Sequence, residues 1–247
     1  MSALSIGRLE VYQPAKTRGD FDEIPAGSVM HTAVHDIVDT ALRILESAGG
    51  RHHLEKLGCL IVEGRWNVAL RKKVERVELC LYPVTDESLT RMGEFVTTFL
   101  RRLRESFPEV YIMINEVEAT TVMWDLIQAT DSTARDVYMF HMIVAVTHEL
   151  CHFLTGYLVG DGRPRTPETV EIEGMSREAG FFFEKAIFGG VVDCFAEIPG
   201  KGEKINPHQP GVSYLFDGVK ETSPGHPVHM PFLKRFVALR GAQTRKK

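Results

Sequence analysis

Apolar residues recur at helical spacing over residues 31–48 (HTAVHDIVDTALRILESA), and Gly49-Gly50 follows as a stop. A second helical pattern covers 86–106, opened by Asp86 and closed before Pro108. Short runs rich in β-branched and aromatic residues, 58–63, 76–83, 109–116 and 120–125, predict strands. Asp131, Ser132 and Thr133 form a helix-start signal, and the pattern predicts one long helix from there to Val159, ended by Gly160-Asp161-Gly162. Residues 163–175 read as loop, and 176–188 (SREAGFFFEKAIF) as a helix ended by Gly189-Gly190. A short last helix is expected from Pro231 to Leu239, with Pro231 in its first turn. Residues 1–28 and 199–230 are punctuated by Pro and Gly and carry little periodicity, so they predict irregular chain.

Strands followed by a long helix, then a helix and irregular segments, is the order of an α+β domain. The 247 residues are read as one domain over 1–247, with sub-lobes of about 29–160 and 161–247. The second lobe is expected to be mainly helical and irregular.

Composition narrows the function classes. Hydrophobic residues at 44% and charged residues at 25% leave material for a sizeable core. The net charge of −4 lacks the basic footprint of a general nucleic-acid binder. The clusters Arg71, Lys72, Lys73 and Arg101, Arg102, Arg104 are read as solvated faces. The opening MSALSIGRLEVYQPAKTRGD has no apolar core of signal-peptide length, and no apolar run of about 18 residues suggests a membrane span. A cytoplasmic protein without membrane contact is the expectation. Cys59, Cys80, Cys151 and Cys194 form no CxxC pair and are expected as free thiols.

Candidate chemistry lies in the long helix, where residues 147–153 read Thr-His-Glu-Leu-Cys-His-Phe. Each helical residue turns the chain by about 100°, so His148 and His152 share one face and can reach one ion. Glu149 falls about 100° round from His148, too far to share the ion comfortably but close enough to hold a water beside it. Two imidazole ligands and a general base are the parts of a zinc hydrolase. His141 shares the stripe about 10 Å up the axis and is expected to line the cleft or accept a core hydrogen bond. Cys151 points away and is expected as a buried thiol.

The HExxH motif resembles that of the zincin metallopeptidases, closely at His148, Glu149 and His152 and more loosely over about residues 76–190. The resemblance implies a mixed β-sheet packed on the active-site helix, one Zn2+ per chain, and an edge strand beside the site, with 109–124 the candidate. The metzincin spacing fails, because its third-ligand position is Leu158. The gluzincin pattern takes a Glu from a later helix, and Glu178 and Glu184 are the candidates. On one helix they would point about 120° apart, so both could not face the metal. Ala179 and Gly180 would allow close approach and favour Glu178, with Glu184, or a C-terminal histidine among His208, His226 and His229, as alternatives. The family's carboxylate four residues after the ligand is replaced by Phe182, which removes the expected acceptor for a ligating histidine. Tyr157, Tyr214 and His229 are the candidate donors to a reaction intermediate. Arg177 is expected to pair with a surface acid.

The expected function is a zinc-dependent hydrolase that uses Glu149 as general base to cleave an amide or peptide bond of a restricted intracellular substrate. The alternatives are a metalloenzyme of small-molecule metabolism on the same frame (lyase, cyclase or esterase) and a non-catalytic binding module. A peptide or small molecule is the expected partner, with no nucleic acid or membrane, and the sequence sets no oligomeric state.

Overall fold

The computed structural model describes residues 5–15, 17, 19–72, 90–111, 132–159, 166, 170, 178–195, 211–217 and 225–238. The first helix, α1 (Val29–Glu46), begins at Ser28, whose hydroxyl accepts the His31 N–H at 3.2 Å. Serine at this place satisfies one of the donors every helix start leaves open. Val34, Ile37, Val38, Ala41, Leu42 and Leu45 face the core at the expected spacing.

The end of α1 differs from expectation. Ser47 closes it, donating its N–H to the Arg43 and Ile44 carbonyls, and its hydroxyl accepts the Gly50 N–H at 3.0 Å. One serine therefore caps both α1 and the next helix, α2 (Ala48–Lys72). Gly49-Gly50 lies in the first turns of α2. A Cβ on Gly50 would overlap the Ile44 carbonyl oxygen, so the corner is tight enough to need glycine there. The strand expected at 58–63 is helix: Leu54, Leu57 and Ile61 form a buried helical face, and Gly58 admits the Met92 side chain.

The helical pattern expected over 86–106 is observed as α3 (Met92–Glu105), which buries Met92, Val96, Phe99, Leu100 and Leu103. Its Arg104 is a correction to the solvated-face reading. It is 5% exposed and binds Asp39 Oδ1 at 2.6 Å and Glu46 Oε1 at 2.8 Å, both on α1. The long helix α4 runs Ser132–Val159 as expected. The 176–188 pattern is shorter, α5 (Ala179–Phe188), and Gly189 ends it with φ 86°. The last helix is α6 (Met230–Ala238).

Two three-stranded sheets complete the described residues. In the first, β1 (Val11–Pro14) pairs antiparallel with β2 (Phe21–Glu23) and parallel with β3 (Val110–Tyr111). In the second, β4 (Val191–Phe195), β5 (Val212–Phe216) and β6 (Gly225–Pro227) form an antiparallel meander. Both fall partly where irregular chain was expected. Weak alternation hides such short strands, which are held by their neighbours rather than by propensity. The strands expected at 76–83 and 120–125, most of that at 109–116, and nearly all of the loop at 163–175 lie outside the described residues.

The architecture is α+β, with six helices among the described residues. α4 is its axis: α1, α2, α5 and α6 all pack on it, and α3 touches it more lightly. At its N-terminal half Phe140 meets Phe188, Phe232 and Phe236 edge-on. Thr147 and Thr155 are fully buried and return their hydroxyls to the Ile143 and Cys151 carbonyls, so α4 buries these polar groups without external partners.

Candidate metal centre

His148 and His152 project side by side from α4, ring centroids 5.3 Å apart. The third group comes from the start of α5. Glu178 has φ −149° and ψ 127°, an extended backbone, and is the N-cap of α5 rather than part of it. Its carboxylate accepts the Phe181 N–H at 2.9 Å and the Gly180 N–H at 3.4 Å. The same carboxylate lies 3.3 Å from His148 Nε2 and in close contact with His152 Nε2. One nitrogen of each histidine and one Glu178 oxygen all fall within 4.8 Å of one another. Helix-terminal N–H groups and aligned peptide dipoles both favour a carboxylate at that point.

Glu184 resolves the missing second carboxylate. It is 3% exposed and sits in the apolar run of α5. Its Oε1 lies 2.6 Å from His148 Nδ1, and its Oε2 accepts the Val192 N–H of β4 at 2.8 Å. Glu178 meets His148 at Nε2 and Glu184 meets it at Nδ1, so the two carboxylates stand at different nitrogens of one ring and only Glu178 joins the cluster with His152. The projection that separated them assumed one helix, whereas Glu178 stands outside it. A single charge inside Phe181-Phe182-Phe183-Glu184 was the available signal, because buried carboxylates are paired.

Close packing fixes the first histidine. Gly180 lies against the His148 imidazole, which a Cβ there would overlap, and the Phe181 ring stands edge-on to it at 5.0 Å. Burial alone would lower the His148 pKa, but hydrogen bonds and charge from Glu178 and Glu184 outweigh it and raise it to about 10. Burial would raise the Glu178 pKa, but hydrogen bonds from both histidines and Phe181 hold its carboxyl well below the usual carboxylate range.

The donor set fits a divalent zinc-like ion. Two imidazole nitrogens and one carboxylate oxygen are a known three-ligand combination for such an ion. Glu184 engages Nδ1 of His148, which leaves Nε2 as the lone-pair nitrogen facing Glu178 and His152. Glu178 and Glu184 bring two carboxylates against His148. A divalent cation would offset that charge; without one, the two carboxylates hold a proton on His148.

The other candidates are placed elsewhere. Glu149 is on the exposed side of α4. Tyr157 packs 5.5 Å from Phe99, with Arg102 over its ring, so it faces α3, about 140° round from His152. Tyr214 lies in β5 opposite Asp193 and Pro227, and His226 is an exposed residue of β6. His229 is exposed, and its carbonyl accepts the Phe232 and Leu233 N–H groups at the start of α6. The adjoining Val228 N–H bonds Ser213 O, which puts His229 near the level of His141 rather than His148. His141 makes the core hydrogen bond, Nε2 to Ser213 Oγ at 2.6 Å. Cys151 is fully buried, its thiol pushed up by that burial and pointed at the Thr147 carbonyl. Arg177 and His208 lie outside the described residues. Compared with protein-family models, curated proteins and solved structures, the chain matches none.

Proposed function

We propose that the protein is a zinc-dependent hydrolase of the zincin type, holding one Zn2+ through His148, His152 and Glu178 and using Glu149 as general base on an amide or peptide bond. The observation that carries this is the convergence of Glu178 on the two histidines, with Glu184 behind one of them. That arrangement supplies both a third ligand and an orienting carboxylate. Neither follows from the five-residue motif itself.

Zinc held by three protein ligands supplies a Lewis acid and a water acidified to a pKa of about 7. The protein's own groups then have defined work. Glu149, at the exposed edge of the ligand stripe, accepts a proton from the attacking water. The water oxygen bonds to the carbonyl carbon, the C–N bond breaks, and Glu149 returns its proton to the departing amine. Glu184 and the Gly180 contact keep His148 in one orientation. The N–H groups of Gly180 and Phe181 hold Glu178 ionised and aimed.

The test is metal analysis together with Glu149→Gln. The wild-type chain should take up about one zinc and hydrolyse members of a panel of peptides and acyl amides. The variant should keep the zinc and lose turnover by at least a hundredfold. No zinc uptake, or full activity in the variant, would refute the proposal.

A further inference from the structure

The first turn of α5 opens with the N–H groups of Ala179, Gly180 and Phe181, none of which has a carbonyl partner inside the helix. Glu178 accepts the second and third. The first goes to Thr166, whose Oγ1 accepts the Ala179 N–H at 3.2 Å. Ala179 is fully buried, so water cannot stand in for that hydroxyl. The chain around Thr166 has few alternatives. Val170, four residues on, is fully buried in the core. Pro167 follows Thr166 and disfavours a helical backbone there. The branched Cβ of threonine limits the rotamers in which its hydroxyl is offered.

What the bond controls is the place of Glu178. The Glu178 carboxylate is held by N–H groups of the first turn, and one peptide unit joins its backbone to Ala179. A first turn that frays carries the carboxylate away from His148 and His152. Gly180 against the His148 ring is a steric wall: it resists approach of the two helices and does nothing against fraying. The bond between Ala179 and Thr166 is attractive and does resist it.

We infer that Thr166 is a positioning residue for the metal ligand Glu178, acting through the Ala179 N–H. This rests on the metal-hydrolase proposal and adds to it a residue remote in sequence from the histidine ligands.

Thr166→Val and Thr166→Ser test it in the full chain, with Thr166→Ala in place of the first where that variant does not fold. Zinc affinity is measured by chelator competition well below the melting temperature. Cobalt(II) is also loaded, because its visible absorption follows the ligand set and geometry. Thr166→Val should bind zinc about tenfold more weakly, the low end for a group that supports a ligand indirectly, and its cobalt spectrum should shift. Thr166→Ser keeps the acceptor and should stay within about threefold of the wild type. Val96→Ala, a cavity in the core of α3, should melt lower and keep its zinc affinity. Wild-type affinity and spectrum without the hydroxyl would overturn the inference and leave the hydrolase proposal standing. So would a Thr166→Ser variant as weak as Thr166→Val, or an equal loss in Val96→Ala, which would mean that affinity merely follows stability. A wild-type chain that binds neither metal sinks both proposals.

Discussion

Glu184 Oε1 lies 2.6 Å from His148 Nδ1 while its other oxygen accepts the Val192 N–H, so one buried carboxylate ties α4 to β4, the first strand of the second sheet. Glu184→Gln keeps the size and an acceptor oxygen but removes the charge. Outer partners of this kind are worth tenfold to a hundredfold in metal affinity. Zinc affinity, measured by competition with a chromophoric chelator, should fall by that factor while one zinc still binds at saturation. Unchanged affinity would mean that Glu184 serves the fold alone.

How much of this was legible in the sequence differs residue by residue. The shared face of His148 and His152 was readable because it depends only on spacing within one helix. Glu178 was readable as a residue type close to small neighbours, but its geometry was not. A projection that put it on α5 sent it and Glu184 to different faces, whereas its extended backbone lets both carboxylates reach His148. On the fold side, α1 and α4 carry long periodic patterns and were placed within a few residues. The misread segment, 58–63, is a short apolar run that suits a strand or a buried helix equally. Its setting is decided by Leu54 and Leu57 before it and by the double cap at Ser47.

Arg104 is the next case where burial changes the meaning of a charge. The sequence puts it in a basic cluster, but it is 5% exposed and neutralised by Asp39 and Glu46. Arg104→Ala would leave the largely buried Glu46 carboxylate without its cation and Asp39 with Arg43 alone, a loss of about 3 kcal/mol. Arg101 pairs with Glu105 at the surface, so Arg101→Ala should change stability by less than about 0.5 kcal/mol. Urea unfolding of the two variants should separate them clearly; equal midpoints would contradict the assignment.

His141 sets a pH dependence of its own. Burial lowers its pKa from 6.5 to about 4, with Asp193 offsetting part of the effect. The folded form thus resists a proton that the unfolded chain accepts. Stability is fully present above about pH 6.5 and is lost as pH falls to about 4, by roughly 3 kcal/mol at most. His141→Gln keeps a partner for Ser213 and removes the titration. In chelator, to exclude metal loss, the wild type should lose more stability than this variant between pH 7 and 4.5. Parallel losses would show that His141 accepts its proton without cost.

Gly180 separates packing at the site from helix propensity. It is in the first turn of α5, where alanine would ordinarily stabilise a helix by up to about 1 kcal/mol. Here a Cβ would overlap the His148 ring, which Glu184 and Phe181 confine from other sides. α5 must shift from α4, or His148 must turn away from Glu178. Either response carries Glu178, His148 or both off their common point, since Glu178 caps the helix that would move. Gly180→Ala should therefore weaken zinc binding by at least tenfold and gain no thermal stability in the metal-free form. A variant that melts higher and binds zinc as tightly as the wild type would show that the contact between α5 and His148 has slack, and that the histidine is not held by its packing.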